Sequence, residues 1–316
     1  MRCHAWMALW LATCVGVAAA QSYPQKPVRL LTAEVGGGSD FAARLVAQGL
    51  SAGLGQQVVV ENRAGGVVIA EAAAKAPADG YTLLCYGSTI WLLPFLREHV
   101  AYDPVRDFAP VILLASAPNI LVVHPSLPVK SVGDLVALAK AHPGKLNYAT
   151  GPAGTTLHLS AELFKSMAQA DIVHVPYKGV ALALNDLIAG RVQLMFPTPG
   201  SVTQHVKTGR LRALAVTSAT SSALLPGLPT MAATGLPGYE SISVFAIFAP
   251  AKTPSAIIQR LNQETLAVLK SGDTRERFLA AGVEPAGGPP EQLGMLMKSE
   301  MQKWGRLIRE AGLRAE

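Results

Sequence analysis

Twice in this chain a short apolar strand runs into a glycine-containing loop that opens a helix, first over Val28–Asp40 and again over Leu146–Thr156. The first segment reads PVRLLTAEVGGGSDFAARLVAQGL and the second KLNYATGPAGTTLHLSAELFKSM. A loop of this kind leaves backbone N–H groups unbonded at a helix N-terminus, where the helix dipole also favours negative charge. One such unit in each half of the chain predicts a cleft that closes on a small anionic molecule.

The 316 residues, half of them hydrophobic, suffice for one large or two medium α/β domains with their own cores. Residues 1–20 read as a cleaved secretory signal. Arg2 supplies the positive end, Ala5 to Val17 the apolar stretch, and Ala18, Ala19 and Ala20 a small-residue cleavage site before Gln21. A lipoprotein would need Cys14 as its acylated residue, and Thr13 stands where a smaller residue is usual. Removing the signal leaves Cys85 as the one cysteine, so no internal disulfide forms and stability comes from core burial. Cys85 lies in the apolar strand YTLLCYG and is expected to be an inert, buried thiol. Loss of Arg2 lowers the formal charge from +6 to +5, and the basic residues are scattered among acids, which argues against nucleic acid as a partner. The apolar stretch Val111–Val123 is broken by Pro118 and Asn119 and is too short to span a membrane.

Strands and helices alternate as in a parallel sheet with crossover helices. The first run has strands Val28–Thr32, Val58–Glu61 and Tyr81–Tyr86 with helices Asp40–Ala52 and Ile69–Ala76 between them. The second repeats that order with strands Leu146–Ala149, Ile172–Val175 and Val192–Phe196 and helices Leu157–Ala168 and Ala181–Ala189. The chain is expected to cross between domains near Leu121–Pro125 and to return near Leu224–Pro237, a stretch rich in proline, glycine and small residues. Domain 1 would then comprise residues 21–122 and 229–316, and domain 2 residues 123–228. The last part of domain 1 carries a strand at Val244–Phe248, a helix with Pro254 at its first position, and a long final helix from Pro290. Two crossing segments are the physical basis of hinge closure.

Catalytic signatures are missing from the sequence: no G-x-S-x-G, no Walker-type loop, no G-x-G-x-x-G and no H-E-x-x-H. His99, His124, His142, His158, His174 and His205 are dispersed without metal-ligand spacing, and neither a metal nor a cofactor is expected. His158 and Ser160 stand two residues apart on a helix and face different sides, so His158 is expected to pack or hydrogen-bond beneath the loop. The candidate ligand-binding residues lie at the strand ends. In the first half they are Gly36, Gly37, Gly38, Ser39 and Asp40, then Ser88 and Thr89. Ser39 reads as the helix N-cap and Asp40 as a first-turn acid. In the second half they are Thr150, Gly154, Thr155, Thr156, Tyr177, Lys178 and Thr198. Carboxyl ends of parallel strands are where α/β proteins hold ligands.

With these residues in view the mature chain resembles, over essentially its full length, the Bug-type extracytoplasmic receptors of tripartite tricarboxylate transporters. The matching stretches include YPQKPVRLL, GGGSDFAARLVAQGL, VVVENRAGG, ADGYTLL, YDPVRDFAPV, HPSLPVKSVGDLVALAKAHPGKLNYAT, FKSMAQADIVHVPYKG and LRALAVTSA with LPGYE. The resemblance implies a two-domain periplasmic-binding-protein fold of the type II-like, Venus-flytrap kind, without enzymatic activity. It also implies a carboxylate held by main-chain N–H groups, hydroxyls and bridging waters, with no arginine clamp. The implied partners are a small organic acid and the subunits of an inner-membrane permease. The alternative is a periplasmic sensor that docks on a signalling kinase. A monomer is expected. Three departures bear on ligand choice: Thr32-Ala33-Glu34-Val35 replaces a segment with proline and phenylalanine, the ENRPGAGG-type segment shortens to Glu61–Ala70, and Pro197 replaces an aspartate.

Glu34 and Asp40 flank the glycine loop, no arginine occurs in either loop, and Arg44 stands well along its helix. Two helix N-termini at about half a positive charge each offset roughly one carboxylate. The sequence therefore predicts a preference for ligands with one carboxylate, or with a carboxylate plus an amine or a neutral polar group.

Overall fold

The computed structural model describes residues 23–33, 35, 38–63, 66–151, 155–177, 179–222, 224–310 and 312–314. The signal segment, Glu34, Gly36, Gly37, Gly154 and Lys178 lie outside them. Along the chain, β1 (Val28–Thr32), β2 (Val58–Asn62) and β3 (Thr82–Gly87) alternate with α1 (Gly38–Leu54), α2 (Gly66–Ala74) and α3 (Thr89–Leu96). These three strands are parallel, in the order β3-β1-β2. Thr82–Tyr86 is buried throughout, as befits a strand covered on both faces. Helix α1 turns Ala42, Ala43, Val46, Ala47, Leu50 and Leu54 inward, the spacing of an amphipathic helix on a sheet.

The chain then follows β4 (Phe108–Pro118), which points the same way as β3, and passes directly into β5 (Ile120–Val123) of a second sheet. There, α4 (Val132–Ala141) opens with a reciprocal capping box between Ser131 and Asp134. It is followed by β6 (Asn147–Thr150), α5 (Thr156–Ala168), β7 (Val173–Pro176), α6 (Val180–Ile188), β8 (Leu194–Met195), α7 (Pro199–Lys207) and β9 (Arg212–Val216). The second sheet has the order β7-β6-β8-β5-β9, again with a parallel trio, β7-β6-β8. The chain returns through β10 (Ile242–Pro250), α8 (Ser255–Lys270), α9 (Gly272–Ala280), β11 (Glu284–Pro285) and α10 (Pro290–Glu310). The first sheet is thereby completed as β11-β4-β10-β3-β1-β2.

Two expectations change. The sheets are mixed, because β10 pairs antiparallel to β3 and β4, and β5 antiparallel to β8 and β9. In each sheet the strand beside the parallel trio has just arrived from the other lobe, so its direction is reversed, which a helix–strand alternation does not reveal. The passages between sheets also move. Leu121–Val123 already pairs in the second sheet, so the first passage is at Asn119. Met231, Leu236 and Tyr239 pack in the second core with Leu121 and Phe164, so the return falls near Ser241. Among the described residues no helix is long and apolar enough to cross a membrane.

The joint itself is a buried polar network. Thr217 N–H donates to the Asn119 carbonyl at 3.0 Å and Ser241 N–H to the Thr217 carbonyl at 2.8 Å, which lays three chain segments side by side. The Asn119 amide donates to Ser160 Oγ at 3.1 Å and accepts from Ser243 Oγ at 3.3 Å. Ser160 and Ser241 share a 2.7 Å hydroxyl pair, and Tyr239 OH donates to the Ser160 carbonyl at 2.7 Å. Asn119, Ser160 and Thr217 are all fully buried. Such groups keep their places only where each finds a partner.

Candidate ligand-binding cleft

On the first lobe, the carboxyl ends of β1 and β3 carry the N-termini of α1 and α3. The helix α1 begins at Gly38, so Ser39 lies inside its first turn and is not the expected N-cap. Both Ser39 and Asp40 are buried. Cys85 Sγ on β3 donates to the Ser39 carbonyl at 3.6 Å, fastening the helix start to the sheet, and burial pushes this thiol far up from its ordinary value. Asp40 does not look into solvent. Its carboxylate meets Arg44 Nε at 2.9 Å and Asn62 Nδ2 at 2.7 Å. Ser88 is buried just before α3, and Thr89 is the first residue of that helix.

On the second lobe, Thr155 is the N-cap of α5 in an extended conformation, and Thr156 is the first helical residue. Thr150, at the end of β6, is fully buried; its hydroxyl donates to the Gly151 carbonyl at 2.8 Å and pairs with His174 Nε2 at 2.7 Å. His174 stands in a column of rings, 4.8 Å from Tyr148 on one side and 4.5 Å from His158 on the other, each nearly parallel. Burial lowers the pKa of both imidazoles, His158 to about 4. Tyr148 OH donates to Glu162, which Lys165 also holds at 3.0 Å. His158 is thus a buried ring stacked on His174. The Tyr177 hydroxyl is turned away to Asp186 at 2.7 Å, and burial with that bond raises it to about 12. Thr198 is the N-cap of α7 and its side chain makes no capping bond.

These pieces adjoin. Gly87 lies opposite Phe245 in the β3–β10 pairing, and a Cβ on Gly38 would fall 2.6 Å from the Phe245 ring. Two residues away on β10, Ser243 Oγ and Thr156 Oγ1 form a hydroxyl pair at 2.8 Å, linking the two lobes at the start of α5. A second contact between the lobes pairs two glycines. A Cβ on Gly200 would meet the Ala281 carbonyl at 2.6 Å, and one on Gly282 would meet Gly200 N at 2.7 Å. The N-termini of α1, α3 and α5 therefore adjoin β10, and that of α7 meets the first lobe at Ala281 and Gly282. Asn62, Arg44, Ser243 and Phe245 were not among the expected residues. Asn62 had a signal, a polar amide ending the apolar run VVVEN; Ser243 had none.

The charge balance also differs from expectation. Arg44 reaches back one helical turn to Asp40, and Arg29 and Arg63 both hold Glu61, at 2.7 and 2.6 Å. Hydrogen bonds from Arg63 and Arg29 keep the Glu61 carboxyl below the usual carboxylate range. Among the described residues, one guanidinium thus faces Asp40 and two face Glu61. The expected preference for a single carboxylate rested on Glu34 and Asp40; Glu34 lies outside the described residues, and Asp40 is paired with Arg44 at 2.9 Å. Among the described residues no cluster of histidine, cysteine and acidic side chains could hold a metal. A groove of about 510 Å³ beside the C-terminal half of α5 is lined by Glu162, Asp171 and Glu310 with Lys165, the wrong charge and the wrong helix end for an acid.

Two α/β lobes with strands passing between them and helix N-termini converging at the junction define a two-domain solute-binding protein of the Venus-flytrap class. Residues 42–313 match the tripartite tricarboxylate transporter family receptor, and the chain belongs to that family. Protein BugT of Bordetella pertussis is 37% identical over 319 residues, covering 98% of each chain. Among solved structures, Rpa4515 of R. palustris with adipate superposes with a TM-score of 0.82 at 40% identity, over 92% of this chain and 99% of that one. MatC from Rhodopseudomonas palustris with bound malate gives 0.78 at 27% identity, over 90% and 100%.

Proposed function

We propose that this chain is an extracytoplasmic receptor that captures a small organic acid between its lobes and hands it to a membrane permease of the tripartite tricarboxylate type. The observation that carries the reading is that the α1 and α5 N-termini both abut β10, Gly38 against the Phe245 ring and Thr156 against Ser243 at 2.8 Å. Helix N-termini aimed at one space favour an anion. The adipate and malate named for the two related structures extend the ligand class to dicarboxylates, which the Asp40–Arg44 pairing accommodates. The ligand would be met by amides of the Gly36–Gly38 and Gly154 loops and by hydroxyls of Ser88, Thr89, Thr155 and Thr198. The lobes would divide at Asn119 and near Ser241, with residues 1–20 directing export to the periplasm.

Capture without catalysis agrees with the state of the reactive groups. The Cys85 thiol is fully buried and pushed up, and His158 is 3% exposed and pushed down to about 4. Neither is a nucleophile or a base poised at neutral pH. A thermal-shift screen across mono-, di- and tricarboxylates, with native mass spectrometry of the purified protein, tests the proposal. Ligand at 100-fold over its Kd adds about 2.7 kcal/mol of stability. Stabilisation by amines or sugars alone, with every acid inert, would rule the reading out.

A further inference from the structure

We propose that Asn62 is the positioning residue of the first binding loop: it staples the two flanks of that loop together and, through Arg44, cancels the charge of Asp40. The inference rests on the reading of the cleft as an acid-binding site.

Asn62 is the last residue of β2, the edge strand of the first sheet, and lies level with Thr32, the last residue of β1. Its Nδ2 donates to the Ala33 carbonyl at 2.6 Å and to Asp40 Oδ1 at 2.7 Å. Its Oδ1 accepts from Arg44 Nη2 at 2.6 Å, while Arg44 Nε reaches Asp40 Oδ1 at 2.9 Å. Ala33 leads into the loop and Asp40 lies in the first turn of the helix that follows it. One carboxamide therefore spans the loop from entry to exit. Next to it, Arg63 N–H donates to the Thr32 carbonyl at 3.0 Å and prolongs the strand pairing to the loop's edge.

The chemistry requires an amide at this position. Both protons of Nδ2 are spent on two acceptors, and the carbonyl oxygen is spent on a cation. A carboxylate at position 62 could not donate and would stand against Asp40. An alanine would leave the Ala33 carbonyl and the buried Asp40 each short of one donor. The ring of Asp40, Arg44 and Asn62 leaves the first turn of α1 with no uncompensated negative charge, so its dipole favours an anion. Both flanks of the loop are then fixed before ligand binds, which lowers the ordering cost of binding.

The test uses the full mature chain and compares wild type with Asn62→Ala, Asn62→Asp and the exchange Asp40→Asn/Asn62→Asp. Adipate and malate are titrated by calorimetry, and amide exchange is followed by mass spectrometry without ligand. Asn62→Ala should raise Kd roughly tenfold, the worth of one charge-assisted hydrogen bond. Its amide exchange should quicken about tenfold over residues 33–40 and stay unchanged in the second lobe. Asn62→Asp should bind more weakly than Asn62→Ala, and the exchange variant should recover part of that loss by restoring one acid, one amide and one cation. Wild-type Kd and wild-type exchange in Asn62→Ala would overturn the proposal, as would equal binding by Asn62→Asp and Asn62→Ala. If wild type binds neither acid, the receptor reading fails for these ligands, and the exchange rates over residues 33–40 still decide the staple.

Discussion

Acid should destabilise this protein chiefly through one buried imidazole, His158. His158 is 3% exposed, stacked on His174, and held at about 4 against an ordinary value of 6.5 by burial and by its neighbour. The folded state therefore favours the neutral ring while the unfolded chain titrates normally. A depressed folded pKa on a base means that the unfolded state binds more protons between the two values, so the stability is complete above pH 6.5 and is lost as pH falls towards 4. At about 1.4 kcal/mol per pKa unit the full loss is about 3 kcal/mol, and roughly 2 kcal/mol of it is reached by pH 5. His174 shifts in the same direction and adds to the trend. Urea denaturation of wild type and His158→Phe at pH 7.5 and 5.0 isolates the effect, because the phenyl ring keeps a flat group in the stack and does not titrate. Wild type should lose about 2 kcal/mol more than the variant across that interval. Parallel losses in the two proteins would refute the buried, neutral His158.

Three further outcomes follow from named contacts. Asn119→Ala removes two hydrogen bonds from a fully buried joint and should cost about 2–3 kcal/mol in urea denaturation. Gly200→Ala would bring its Cβ to 2.6 Å from the Ala281 carbonyl, so the lobes must shift apart. About 1–3 kcal/mol of overpacking strain is expected, with a ligand affinity that falls by calorimetry; unchanged affinity would show that this contact plays no part in closure. Thr198→Val deletes an N-cap hydroxyl that makes no capping bond, and should leave the melting temperature unchanged while weakening ligand binding about threefold to tenfold.

The parallel trios were legible in the sequence because each strand is a short apolar run followed by a helix start. Val28–Thr32 was placed to the residue, and α5 to within one residue. The antiparallel strands were not, since nothing local in Phe108–Pro118 says that it runs back along a strand more than a hundred residues away. The first passage was placed late for the same reason: ILVV is as apolar as the strand before it, and only pairing shows that it belongs to the second sheet. Of the site, the helix starts could be read from glycine and hydroxyl spacing. What the side chains do there could not. The sequence offers Asp40 and Tyr177 as ligand contacts and gives no sign that Asp40 is also bonded to Arg44 and Asn62, or the Tyr177 hydroxyl to Asp186. Those partners are set by which strand lies at the sheet edge and by which helix turn faces it.

A crystal structure with the acid that gives the largest thermal shift is the most direct test of the cleft. Its carboxylate oxygens should lie within hydrogen-bond distance of backbone N–H groups at the N-termini of both α1 and α5, with Asp40 still paired to Arg44. An acid bound to one lobe alone, or seated in the groove of Glu162, Asp171 and Glu310, would contradict it.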